Sequence, residues 1–228
     1  MPMVISHRHR YLYFVVPKCA SATIRQSLRD YTDVGYPVSK YPQHLTLRRF
    51  LTSEHAGLLG QYFSFTFVRN PYDRLYSGFL QDRKAASTLP PWREAKRPIF
   101  DVIGADFNRY MLNYVQHANL ATEWEWVCFC PMHEFAWLEG TRRVDWIGRA
   151  EDVAGGLAEL GKRLGIPIKP AGPFNVNCDS TAPYKYLDRY ERQTVSLVND
   201  LYREDFVRFG YPMLDPAKFP IRLESGMS

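Results

Sequence analysis

Two short stretches carry side chains whose types and spacing suit the binding of phosphate-like anions. The first is Pro17-Lys18-Cys19-Ala20-Ser21-Ala22-Thr23. Ala20, Ser21 and Ala22 are small enough for an anion to approach the main chain. Ser21 and Thr23 add hydroxyl donors, and Lys18 adds a mobile positive charge. The glycines and the Gly-Lys-Ser/Thr ending of a Walker A loop are absent, so this is an anion cradle of another kind. The second stretch, Arg69 to Ser77, offers a guanidinium fork and a hydroxyl, which together suit a phosphate monoester. Each has an ordinary reading too: a capped helix beside a surface lysine, and an arginine paired with Asp73.

Both stretches sit where a fold would make them useful. Tyr11 to Val16 is an apolar, aromatic and β-branched run closed by Pro17, the pattern of a buried strand in a parallel sheet. A helix should follow, with Ile24, Leu28 and Tyr31 as its apolar stripe. Its first amides and the positive end of its dipole would meet an anion held by the loop. Tyr62 to Val68 predicts a second strand, placing Arg69 at its carboxyl end, where ligands bind in open α/β sheets. Asn70 then predicts an N-cap and Pro71 a first helical position, with Tyr72, Leu75, Tyr76, Phe79 and Leu80 on one face.

Further along, Val144 to Gly148 predicts a strand, and Trp124 to Phe129 stays ambiguous between strand and helix. A helix beginning at Glu151 and Asp152 carries Val153, Leu157, Leu160 and Leu164 inward and stops at Gly165. One long final helix is expected over Leu187 to Phe209, with Val195, Val198, Tyr202, Phe206 and Phe209 on one side. Strands alternating with helices predict an α/β fold with a mainly parallel sheet. The 228 residues are 46% hydrophobic, and no Gly/Ser/Pro-rich linker divides them, so one domain over 1–228 is expected, with 220–228 a loose tail.

A net charge of +5 favours anionic ligands without choosing among nucleotides, polysaccharides and nucleic acids. The 29 Lys+Arg interleave with 24 Asp+Glu, which argues against the basic stripe of a nucleic-acid-binding protein. Cys19, Cys128, Cys130 and Cys178 lack the spacing of a zinc or redox motif and read as free thiols. No signal-type or membrane-spanning hydrophobic run is present, so a cytoplasmic location is expected.

The two anion stretches resemble the donor-binding signatures of sulfotransferases that use 3′-phosphoadenosine 5′-phosphosulfate (PAPS), in the carbohydrate sulfotransferase (family 2) branch. The resemblance implies a P-loop-like three-layer fold whose central, mainly parallel sheet is flanked by helices. It implies that Lys18, Ser21 and Thr23, in the loop Pro17 to Thr23, hold the phosphosulfate, and that Arg69 and Ser77 hold the 3′-phosphate. Val144 to Asp152 resembles an Asp-hydrophobic-x-Gly-Arg-x-Glu segment of that family. Asn177, Tyr184 and the run Tyr202 to Tyr211 resemble its closing region. Where relatives often show His-x-x-Pro-Gln, this chain reads Phe129-Cys130-Pro131-Met132-His133, so Met132 lacks an amide at that point.

Sulfuryl transfer should run as an in-line displacement, with Lys18 stabilising the leaving oxygen and no metal required. His44 is the candidate general base, with His55, Glu54 and then His133 as fallbacks. The acceptor would be a hydroxyl, foremost on a carbohydrate or glycoconjugate. Arg48 and Arg49 could meet an anionic acceptor and Trp92, Trp124 and Trp126 could stack on a sugar, although a solvated basic face and buried packing are the commoner roles. Two other classes stay open on sequence grounds: a P-loop phosphotransferase, which would need a magnesium-binding acid, and a non-catalytic nucleic-acid-binding protein.

Overall fold

A computed structural model describes residues 4–34, 44–88, 96–172 and 185–219. In chain order the elements used below are β1 (Val4–Ser6), β2 (Tyr11–Phe14), α1 (Ser21–Ser27), α2 (Leu47–Phe50), β3 (Phe63–Val68), α3 (Pro71–Thr88), α4 (Arg97–Ile103) and α5 (Phe107–Asn113). They continue with β4 (Trp137–Leu138), β5 (Thr141–Arg142), β6 (Trp146–Arg149), α6 (Val153–Leu164), α7 (Arg192–Leu201) and α8 (Arg203–Phe209). Asn177, Tyr184, Trp92 and the tail 220–228, to which the sequence drew attention, lie outside the described residues.

By its contacts the chain falls into two compact units, one of residues 1–69 and 130–176, the other of 70–129 and 177–228. The first holds a four-stranded sheet in the order β1-β2-β3-β6. β2, β3 and β6 run parallel, in the register Phe14↔Thr66 and Val68↔Arg149, and the antiparallel β1 forms the edge. One face of the sheet buries Tyr11, Tyr13, Phe65 and Phe67 under Ile24 and Leu28 of the α1 segment and Leu157 and Leu160 of α6. On the other face Phe14 meets Phe50 of α2 edge-to-face at 5.2 Å. The mixed α/β fold with a central, mostly parallel sheet flanked by helices agrees with the sequence pattern.

The segment Val144–Asp152 explains itself structurally. The Asp145 carboxylate accepts from the backbone N–H of Ser64 at 2.7 Å and from its hydroxyl at 2.8 Å, which clasps β6 to β3 where their pairing begins. Pairing therefore starts at Trp146 rather than at Val144. A Cβ on Gly148 would lie 2.5 Å from the Phe67 ring and 2.7 Å from that of Trp146, so only glycine lets these rings sit edge-to-face across β6. Asp152 then caps α6 through the Gly155 amide at 2.9 Å, and Gly165 closes that helix at φ 65°.

In the second unit, Asn70 caps α3 as its position predicts, its side-chain oxygen accepting from the Tyr72 amide at 3.0 Å. Tyr72, Leu75 and Phe79 bury against α4, α5, α7 and α8. The single long C-terminal helix is corrected to three pieces: a 3₁₀ turn Lys185–Arg189, then α7 and α8. Its apolar stripe is buried as expected, but Tyr202 leaves helical geometry at φ −114°, ψ 20°, while its hydroxyl is held by the Phe129 carbonyl at 2.7 Å. Trp124–Trp126 forms a 3₁₀ turn. Beyond it Lys96 is buried, 4.0 Å over the Trp126 ring and 2.5 Å from Asp82, which also accepts from the Tyr110 hydroxyl.

Candidate active site

Because β2 and β3 are parallel neighbours, the residues after Phe14 and after Val68 emerge at one edge of the sheet. That edge carries the loop Pro17–Ala20. Its backbone is strained: Lys18 has φ 65° and Ala20 has φ 55°, and neither is glycine. The left-handed region costs an L-residue about 1–2 kcal/mol, so surrounding contacts must hold both in place. Chains that pass through this region array successive N–H groups into concave nests that bind anions. α1 starts directly afterwards, with no side chain capping its N-terminus and with Ile24 N–H to Ala20 C=O, 3.1 Å, opening the helical ladder. Ser21 and Ala22 are half-buried, and Thr23 is buried.

Arg69 reaches the loop from β3. Its guanidinium donates to the Lys18 carbonyl at 3.1 Å, so the strained residue is fastened by the arginine that the sequence placed in the same site. The Arg69 backbone N–H donates to the Met132 sulfur at 3.5 Å. Cys19, buried in the middle of the loop, donates its thiol to the same sulfur at 3.8 Å. Met132 stands where the sequence resemblance leads to an amide, and here its thioether takes the acceptor position.

His44 stands at the same edge. Its Nδ1 lies 2.8 Å from the carbonyl oxygen of Val15, two residues before Pro17. A carbonyl can only accept, so Nδ1 carries the proton in this contact and Nε2 is the nitrogen with a lone pair when the ring is neutral. The fallback bases separate. His55 neighbours Glu54 at 3.8 Å and lies 6.5 Å, ring to ring, from His7, whose Nδ1 meets the Tyr62 hydroxyl at 3.1 Å. Tyr62 precedes β3, so His55 and Glu54 belong to the opposite edge of the sheet, a strand length of about 20 Å away. His133 follows Met132 and turns its Nε2 to Glu134 at 3.6 Å.

Ser77 lies buried in α3, in the second unit. The first unit brings together Pro17–Thr23, His44 and Arg69, whereas Ser77 and the α3 cap belong to the second. Of the candidate sugar-stacking residues, Trp126 is engaged with Lys96 and lies 5.7 Å from the Tyr110 ring, a packing role. Arg48 is exposed and Arg49 half-buried on α2.

Sequence reasoning missed the part taken by Arg25. Its Nε donates to the Ser21 carbonyl at 3.1 Å, and burial draws its pKa down. Tyr13, one strand residue away from the loop's approach, is fully buried, and burial, with Cys19 nearby next, holds its phenol far above the usual range. The signal for Arg25 was its position four residues after Ser21, one helical turn on.

Among the described residues, no cluster of three or more His, Cys, Asp or Glu could hold a metal ion, and no helix is long and apolar enough to cross a membrane. A family model described as "Sulfotransferase family" matches residues 1–212, a span that takes in both units. No curated protein and no solved structure matches the chain.

Proposed function

This chain belongs to the sulfotransferase family, and from that premise we propose that it moves a sulfuryl group from PAPS onto an acceptor hydroxyl, foremost one on a carbohydrate or glycoconjugate. Sulfate transfer as the class of reaction follows from the family. The donor, the acceptor and the residue roles are the finer reading. The observation that carries it is the loop after β2, held with Lys18 and Ala20 in the left-handed region and fastened to Arg69 of the neighbouring parallel strand.

That loop suits the donor's phosphosulfate. Small residues leave its amides approachable, Ser21 and Thr23 bring hydroxyls, and Lys18 brings a charge able to neutralise the bridging oxygen as the S–O bond to the phosphate breaks. Arg69 would bind the 3′-phosphate through its guanidinium, whose planar fork of five N–H groups suits a phosphate and can serve more than one acceptor. The sequence resemblance gives Ser77 a phosphate-binding hydroxyl. His44 would take the proton from the acceptor hydroxyl at Nε2 as its oxygen attacks sulfur, while the Val15 carbonyl keeps the other nitrogen protonated and the ring oriented. Charge is balanced throughout: the acceptor's proton goes to His44, and the electron pair of the broken bond goes to the nucleotide.

The test is calorimetric titration with adenosine 3′,5′-bisphosphate of wild type, Arg69→Ala and Lys18→Ala, with and without magnesium. The reading expects magnesium-independent binding, weakened about 10–100-fold in Arg69→Ala, the loss of a charge-assisted contact of about 1.5–3 kcal/mol. His44→Ala should bind the bisphosphate as wild type does and lose about 10²–10⁴ in kcat. A folded wild-type protein that ignores the bisphosphate would overturn the donor assignment, and strict magnesium dependence would turn it towards phosphotransfer.

A further inference from the structure

We propose that Met132 is a positioning residue of the donor site: its thioether is the common acceptor that locks the anion loop to the end of β3. This inference rests on the donor reading above for its consequence in binding, but its geometry stands apart from it. Three segments distant in sequence converge on one sulfur. The Cys19 thiol reaches it from the loop at 3.8 Å, the Arg69 main chain from the strand end at 3.5 Å, and Met132 itself opens the 3₁₀ turn Met132–Phe135, which lies against α2. The Arg69 guanidinium closes the figure by donating to the Lys18 carbonyl at 3.1 Å. Met132 and Cys19 are shut off from solvent, each at 0% exposure.

The chemistry at this point favours sulfur. The amide of half-buried Arg69 is turned onto the buried Met132 sulfur, and an N–H directed inward without an acceptor is costly. A carboxylate would accept from it strongly but would set a negative charge behind a loop built for an anion. A thioether accepts weakly, carries no charge and adapts its shape, so it satisfies the amide and the thiol and leaves the positive potential of the loop intact. Its position also bears on strain. Lys18 and Ala20 flank Cys19, so the contact to Met132 grips the residue between the two left-handed ones.

The experiment compares Met132→Leu, which keeps the volume and loses the acceptor, with Met132→Gln, which restores an acceptor, in the full chain. Two readouts are taken: the Kd for adenosine 3′,5′-bisphosphate, and the hydrogen-exchange rate of the Arg69 amide by NMR. Positioning predicts that Met132→Leu melts near wild type, exchanges the Arg69 amide at least about tenfold faster, and binds the bisphosphate about three- to tenfold more weakly, with Met132→Gln recovering much of both. Unchanged Arg69 exchange in Met132→Leu would overturn the inference, whatever the nucleotide does. Faster exchange with unchanged binding would overturn its functional half. If wild type fails to bind the bisphosphate while the exchange rates behave as stated, the donor reading falls and the lock remains.

Discussion

Ala20→Gly isolates the strain in the anion loop. At φ 55°, ψ 22° the Ala20 Cβ presses on its own backbone, an arrangement costing about 1–2 kcal/mol that glycine does not bear. Glycine also loosens the unfolded chain, which costs about 0.5–1 kcal/mol wherever it is introduced, so a single variant would confuse the two effects. Ala22→Gly, two residues on and inside α1, supplies the control: it carries the same unfolded-state penalty with no left-handed strain to relieve. Ala20→Gly should therefore be the more stable of the two by about 1–2 kcal/mol, and close to or slightly above wild type. With a urea slope of about 2 kcal/mol per molar, the unfolding midpoints of the two variants should differ by about 0.5–1 M. Urea titrations followed by tryptophan fluorescence and by circular dichroism would read this, the second probe guarding against separate unfolding of the two units. Coincident midpoints, or Ala20→Gly the weaker, would refute the reasoning that the loop stores strain. The same variant should bind adenosine 3′,5′-bisphosphate a few-fold more weakly, because a freed loop must be ordered again on binding.

Two other expectations bear on the frame around the site. Asp145→Ala removes both side-chain contacts to Ser64 at the start of the β3–β6 pairing and should cost about 1–2 kcal/mol, the low end for charged acceptors because Asp145 is exposed; a double-mutant cycle with Ser64→Ala, which keeps the backbone donor, should show a shared loss from the hydroxyl contact, and additive losses would deny that contact. Alkaline stability should fall steeply, since burial raises the phenols of Tyr11, Tyr13, Tyr110 and Tyr190 well above the usual value and that of Tyr72 to about 12, the last against the Leu214 amide that lowers it. Because these folded-state values exceed the unfolded one, their contribution is complete below about pH 10 and for Tyr72 is lost as pH climbs towards 12, at about 1.4 kcal/mol per pH unit per tyrosine. Stability measured between pH 9 and about 11 that stays flat would contradict that burial.

The parts of the fold that were legible in the sequence are those governed by local rules. Apolar runs ended by Pro17 and by Arg69 gave the two inner strands, Asn70-Pro71 gave the start of α3, and Asp152 and Gly165 gave both ends of α6. What depends on distant partners was not legible. β1 has three residues, too few to show a period, and exists through its pairing with β2. The break at Tyr202 does not disturb the spacing of its apolar stripe, so periodicity carried straight through a place where the backbone turns. At the site, residue types and spacing brought out Lys18, Ser21, Thr23 and Arg69, whereas the acceptor role of Met132 depends on a contact over 113 residues of sequence. The contact of His44 with the Val15 carbonyl, which orients its ring, likewise joins residues 29 apart in the chain.

The loop after β2 could have been made of glycine, and the chain instead bends a lysine and an alanine into the left-handed region. Glycine would remove the strain but leave the amides to be ordered at each binding event, at about 1–2 kcal/mol per residue. Strain held by neighbours moves that cost into folding. Here the neighbours are identifiable: Arg69 on the Lys18 carbonyl, Met132 on Cys19, and Arg25 on the Ser21 carbonyl. Two of these three contacts come from positive side chains directed at backbone carbonyls. The cations that would attract the anion are thus also the groups that keep its cradle in shape, so loss of Arg69 should be felt in the loop before any nucleotide arrives.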